Sequence, residues 1–364
     1  MGMRPLAQKG KTNMNDRIQT LRNKMAGMNL QGMIITNPIN VKYLTGIDAE
    51  GILLLTRKEN IYITDKRYTE YVNSVLTPFD EIVVDDVKNI QKDEYENFFM
   101  FCENVGFEEN FVTYAKYKEY MSKYKVTLVE AENLINQIRC IKDEKEIENI
   151  KEACKITDKC FEMLLTYIKP GMTEKQIARR IDRFFSDNAE GNSFDTIVAS
   201  GENSSKPHAT PSDRIICSND IITIDMGCKV NGYCSDMTRT IFVGKPTSEQ
   251  KMIYDLVLKN QKVALDCIKE GANLKNIIQS VESDFKLNGY ELIHGLGHGV
   301  GLEIHETPFF RSNKDLFLKE NMVVTDEPGI YIAGNFGIRI EDTVLVTKQK
   351  GEVLTESSKE CIII

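Results

Sequence analysis

Ile168-Lys169-Pro170-Gly171, followed by Lys175, Ile177, Ile181 and Phe185, returns 100 residues later as Ile268-Lys269-Glu270-Gly271 with Lys275, Ile277, Val281 and Phe285. Seven aligned positions carry the same or a like residue. Each copy sets a glycine after one helix and opens another, and in the first copy Thr173 and Gln176 form a capping box. Upstream, Ile147, Ile150, Cys154, Thr157, Phe161, Leu164 and Ile168 recur at steps of three and four. That stripe predicts one long amphipathic helix beginning at Asp143. Two helices followed by strand-like runs, used twice, predict an α+β domain with internal pseudo-twofold symmetry.

The front third reads differently. Asn15 to Met28 has helical spacing, and then come the apolar runs Met33-Ile34-Ile35, Ile52-Leu53-Leu54-Leu55, Ile61-Tyr62-Ile63 and Ile82-Val83-Val84. Each is bounded by turn formers or charge, the mark of short strands. Strands interleaved with helices predict an α/β layer. At 364 residues the chain also exceeds what one core usually organises. The expected division is a leader or tag remnant over 1–13, an N-terminal α/β domain over 14–135, and the α+β domain over 136–364.

Composition excludes several classes of function. Apolar residues make up 41 % and charged residues 27 %, which argues against disorder. No apolar run approaches the roughly 18 residues of a membrane helix. Forty-six basic residues against 54 acidic give a net charge of −8, the wrong sign for a nucleic-acid partner. The nine cysteines are odd in number and include no Cys-x-x-Cys pair. Without a secretory signal they read as reduced thiols, and the chain as cytoplasmic.

The chemistry gathers in the back half. All four histidines, His208, His294, His298 and His305, lie within one stretch rich in acids. In Ile221-Ile222-Thr223-Ile224-Asp225-Met226-Gly227 the alternation turns Thr223 and Asp225 to one face. Asn231-Gly232 is a two-residue hairpin turn, which sets Val230 against Tyr233 and Asp225 against Thr238. Asp236 then shares a face with Asp225 as its diagonal neighbour, roughly 7–8 Å away at the backbone.

Further on, Val323-Val324-Thr325-Asp326-Glu327 stops at Pro328, and after the glycines at 329, 334 and 337 comes Ile338-Arg339-Ile340-Glu341. Its alternation puts Arg339 and Glu341 on one side. The repeat turns the two hairpins toward each other, so four carboxylates share a pocket and would repel. Two divalent cations neutralise them, with His298 as a neutral fifth ligand. An oxygen-rich set with one imidazole suits Mn²⁺, Co²⁺ or Zn²⁺, and two such ions side by side serve metal-assisted hydrolysis.

Competing motifs fail. In His294-Gly295-Leu296-Gly297-His298-Gly299-Val300-Gly301, a dinucleotide fingerprint would need glycine at Val300, and a zincin helix after His305-Glu306 would need histidine at Phe309. Neither a Gly-x-Ser-x-Gly elbow nor a Walker loop occurs. The glycines read as room for close backbone approach beside His298.

Asp225 and Asp236 eleven apart, the His294–Gly301 run with His305-Glu306, Glu327-Pro328-Gly329 and Arg339-Ile340-Glu341-Asp342 together resemble the prolidase and aminopeptidase P family. Asn37-Pro38-Ile39-Asn40 and Asp65-Lys66-Arg67-Tyr68 are similar to landmarks of its creatinase-like N-terminal domain. The resemblance implies an α/β creatinase-like domain followed by an α+β "pita-bread" catalytic domain. It implies that Asp225 chelates one ion, that Asp236 and Glu341 bridge two, and that His298 and Glu327 hold the other. Glu327 would also be the general base. His208 and His305 would contact substrate and the tetrahedral intermediate, and His294 and Arg339 would orient substrate.

The same resemblance implies a homodimer, a preference for Mn²⁺ or Co²⁺, and cleavage of the Xaa-Pro bond of dipeptides or peptide N-termini by a metal-bridging hydroxide. Two other expectations stay open. One is a methionine-aminopeptidase-like exopeptidase, whose usual form lacks a domain like 14–135. The other is a metal-free, creatinase-like hydrolase or binding protein. Asp326 departs from the apolar or small polar residue that usually precedes Glu-Pro-Gly, and is expected to point away from the metals.

Overall fold

The apolar runs of the front third pair into one mixed sheet. In the computed structural model, which describes residues 14–76, 83–86, 97–310 and 315–364, its strand order is Val83–Asp86, Asn60–Thr64, Gly51–Thr56, Gly32–Ile35, Asn104–Phe107, Thr127–Glu130. Gly51–Thr56 runs antiparallel to both neighbours, and the other pairings are parallel. Among the described residues the flanking helices include Met14–Gly27, Pro38–Thr45 and Tyr114–Tyr124. Asn37 caps the second of these, its side chain accepting from the Ile39 amide, with Pro38 at the first helical position where no amide donor is needed. The leader expected over 1–13, and Ile82 of the fourth apolar run, lie outside the described residues. The chain divides into two units, Met1–Arg139 and Cys140–Ile364.

In the second unit the repeat is built twice. The helix Glu144–Tyr167 is followed by Glu174–Asn188, and Ser248–Cys267 by Leu274–Leu287. Gly171 and Gly271 hold φ of +94° and +78°, conformations open to glycine but strained for other residues. Each donates its amide across to the same kind of loop, Gly171 to Ile216 O and Gly271 to Leu318 O. Thr173 bridges Ile215 as Asn273 bridges Phe317. Phe185 and Phe285 are fully buried, each in its own core cluster. We expect Phe185→Ala and Phe285→Ala each to cost about 3–5 kcal/mol, read from guanidinium unfolding midpoints; a loss below 1 kcal/mol at either would deny the two cores equal weight.

The helices cover two sheets. One has the strand order Ile362–Ile363, Met237–Phe242, Ile221–Met226, Ile197–Ser200. The other runs Glu306–Phe309, His298–Gly299, Val323–Asp326, Asp342–Val346, Gly351–Val353. The first hairpin has the register its turn implies, with Val230 opposite Tyr233 and Asp225 opposite Thr238.

The second hairpin is built in two pieces. Val323–Asp326 pairs with Asp342–Val346, not with 338–341, and Gly329–Ile332 forms its own ribbon with Phe336–Arg339. Asp326 faces Asp342 and Gly329 faces Arg339, so one register spans both pieces. Extending it by one step sets Glu327 opposite Glu341, at the break. Pro328 has no amide to give the ladder, which is why the ribbon parts there. Both acids therefore stand where the sheet opens.

Candidate functional site

All nine residues singled out from the sequence line one cavity of about 790 Å³: His208, Asp225, Asp236, His294, His298, His305, Glu327, Arg339 and Glu341. Hydrophobic side chains, among them Phe194, Ile304 and Phe309, share the wall. Two hairpins and two loops supply the polar groups. Asp225 is the penultimate residue of the strand Ile221–Met226, and Asp236 precedes Met237–Phe242. His298 sits between glycines because the chain is crowded: a Cβ on Gly297 would press into the Thr325 carbonyl, and one on Gly299 into Thr307 and Glu306 backbone. Those glycines supply close approach, as the sequence suggested.

The acids crowd one another. Asp236, His298 and Glu341 bring one donor atom each within 4.8 Å of one another. His298 Nε2 lies 3.5 Å from Asp236 Oδ2 and 3.4 Å from Glu327 Oε1. Burial, then the neighbouring carboxylates, push the Asp236 and Glu341 carboxyls far above their ordinary range. Burial raises Glu327 to about 8, against the pull of Arg339. His298 goes the other way, to about 4, because burial disfavours its cation. Its Nδ1 stands 3.2 Å from the Gly299 carbonyl; a proton donated there leaves Nε2 bare.

A guanidinium organises the opposite wall. Arg339 Nη2 donates to Asp225 Oδ2 at 2.6 Å, Nε to Thr238 Oγ1 at 3.0 Å, and Nη1 to Tyr331 OH at 2.7 Å. Thr238 in turn donates to Glu341 Oε2 at 2.6 Å. His294 Nε2 meets Tyr331 OH at 3.0 Å, and its Nδ1 lies 3.9 Å from Glu327. Burial and the Arg339 charge hold His294 neutral, down to about 4. His305 and His208 are exposed at the mouth. The His305 ring stacks edge-on to His298 at 4.4 Å, and burial lowers its pKa.

The donor set fits divalent metal. Asp225 Oδ1 is buried with no hydrogen-bond partner among the described residues, although Oδ2 is held by Arg339. A pocket of four carboxylates with one guanidinium must otherwise fill with protons, which is what the raised carboxyl pKa values express. Oxygen donors with one neutral imidazole match Mn²⁺, Co²⁺ or Zn²⁺.

Sequence reasoning missed Tyr331 and Arg239, and placed Thr238 opposite Asp225 without assigning it a role. Tyr331 was readable by the diagonal rule that joined Asp225 to Asp236, since Arg339 faces Gly329 and Tyr331 lies two residues along. Arg239 has no such signal: its buried guanidinium grips Asp342 at 2.7 Å and the Glu341 carbonyl from behind the site. Asp326 is fully buried, and neither carboxylate oxygen has a hydrogen-bond partner among the described residues. Burial, then the Asp342 charge, push its pKa well above the ordinary carboxylate range.

Comparison with known proteins places the chain. Residues 148–348 match the model of metallopeptidase family M24, and residues 17–141 match the creatinase/prolidase N-terminal domain. An Xaa-Pro dipeptidase of Pyrococcus furiosus is 35% identical over 96% of this chain and 100% of its own length. Among solved structures, an Xaa-Pro dipeptidase from Bacillus anthracis superposes with a TM-score of 0.92 at 34% identity, covering 97% of this chain and 100% of that one. An X-Pro aminopeptidase from Thermotoga maritima does so at 0.84 and 32%, covering 94% and 99%.

Proposed function

The chain belongs to metallopeptidase family M24, with a creatinase/prolidase N-terminal domain, and on that footing we propose that it hydrolyses the Xaa-Pro bond of dipeptides or peptide N-termini with two divalent metal ions. The observation that carries the reading is the convergence of Asp236, His298 and Glu341 on one point, with Asp225 and Glu327 lining the same cavity. Asp225, Asp236 and Glu341 supply the anionic oxygens, Glu327 a further one, and His298 its bare Nε2. Ions held by these residues would supply Lewis acidity, which polarises a scissile carbonyl and lowers the pKa of an attacking water.

The rest of the reaction belongs to side chains. Glu327, which lines the cavity 3.4 Å from His298 Nε2, takes the proton of the attacking water and returns it to the leaving imino nitrogen. His305 and His208 donate hydrogen bonds to the oxyanion from the cavity mouth. Arg339 fixes Asp225 and, through Tyr331, the His294 ring. Phe194, Ile304 and Phe309 give the proline ring an apolar wall. Manganese as the preferred ion, a homodimer and a cytoplasmic setting belong to the same reading.

Purified protein supplied with Mn²⁺ should cleave Ala-Pro or Ala-Pro-Ala and leave Met-Ala peptides intact, measured by release of free alanine and free methionine. Cleavage of Met-Ala in preference would shift the reading to a methionine aminopeptidase. Absence of bound metal together with no gain on adding Mn²⁺ would remove the peptidase reading altogether. The ratio of rates on Ala-Pro and Ala-Pro-Ala separates dipeptidase from aminopeptidase.

A further inference from the structure

We propose that Glu174 is a positioning residue for His208, its carboxylate stapling together both ends of the loop 200–212 that carries this histidine into the cavity. The proposal rests on the functional reading above in taking His208 as substrate-facing.

Glu174 is the first residue of the helix Glu174–Asn188 and is fully buried. Its Oε1 accepts from the Ser200 amide at 2.6 Å and the Ser200 hydroxyl at 2.7 Å. Its Oε2 accepts from the Ser212 amide at 2.9 Å and the Ser212 hydroxyl at 2.6 Å. Asn203 Nδ2 reaches both oxygens, at 3.2 and 3.3 Å. Burial alone would raise such an acid, yet these bonds outweigh it and hold the pKa below its ordinary value. It is therefore an anion, placed where a helix N-terminus favours one. Between the staples the loop is tied to the site wall, since Ser204 Oγ accepts from the Gly337 amide and the Pro207 carbonyl from Arg339 Nη1. His208 follows directly.

The repeat gives an internal control. One hundred residues on, the position of Glu174 is held by Leu274, also buried and also first in its helix. The fold thus accepts an apolar residue there. What the first copy has in addition is a carboxylate at that position, bonded to Ser200 and Ser212.

The test uses full-length Glu174→Gln and Glu174→Leu, the latter copying the second repeat, each alone and combined with His208→Ala. An amide offers only one acceptor oxygen, so one staple must open. Amide hydrogen exchange over 201–211 should rise in both variants while the two helix cores stay protected. On Ala-Pro-Ala, kcat/KM should fall about 10–100-fold, mainly in kcat, as a displaced catalytic group would produce. In the His208→Ala background the same change should cost less than about threefold, because the effect passes through that side chain. Losses that simply multiply, or unchanged exchange over 201–211, would overturn the proposal. Should neither variant fold, Ser212→Ala, which removes one staple donor, carries the same cycle with a smaller expected loss. A wild type inactive on every Xaa-Pro peptide would sink the functional reading instead, and the exchange measurement would still decide whether Glu174 holds the loop.

Discussion

Replacing Glu327 with Gln should lower kcat on Ala-Pro by at least about 10³-fold while leaving the fold intact. The amide has nearly the volume of the carboxylate, so the cavity keeps its shape. It cannot accept a proton from water, and it withdraws one negative charge from a pocket where Glu327 Oε1 stands 3.4 Å from His298 Nε2. Far-ultraviolet circular dichroism should be unchanged, and the loss should sit in kcat more than in KM, since the group acts in the transition state. A variant retaining a tenth of the wild-type rate would show that the proton moves elsewhere.

Asp236→Asn should separate stability from metal binding. In the metal-free chain Glu327 titrates near 8, while Asp236 and Glu341 are also shifted upward, all by burial and then by one another except that Glu327 feels mainly burial. The unfolded chain releases these protons at ordinary carboxylate values near 4–4.5. Folded pKa values above unfolded ones mean that stability is fully present below about 4; the Glu327 contribution is lost as pH rises through about 8, and Asp236 and Glu341 act in the same direction. Metal-stripped wild type should therefore lose thermal stability between pH 5 and 8. Added Mn²⁺, which binds the folded state, should restore it. Asp236→Asn removes one of the competing acids, so the stripped variant should be the more stable protein at pH 8 yet gain nothing from Mn²⁺. Melting temperatures with and without Mn²⁺ across that range check both signs. A variant that still responds to Mn²⁺ as the wild type does would remove Asp236 from the metal centre.

Much of this was legible in the residues because short periods fix orientation. The spacing of Ile168–Phe185 and its echo at Ile268–Phe285 were enough to expect a doubled unit. The turn at Asn231-Gly232 set a register that carried Asp225 and Asp236 to one face. The break in the second hairpin was not legible, because Pro328 ends one pairing and another begins at Gly329, a bend that alternation cannot reveal. The break matters most chemically, since it sets Glu327 and Glu341 against each other. Groups acting through distant partners were invisible for a related reason. Arg239 reaches Asp342 across 103 positions, and Glu174 reaches Ser212 across 38. No local period encodes such contacts; only the packed chain brings them together.

Whether this protein holds two cations among Asp225, Asp236, His298, Glu327 and Glu341 is best decided by anomalous diffraction from crystals grown with Mn²⁺. Two manganese peaks are expected inside the cavity, each in contact with some of these five side chains. An empty cavity under saturating manganese, or peaks only at surface carboxylates, would contradict it.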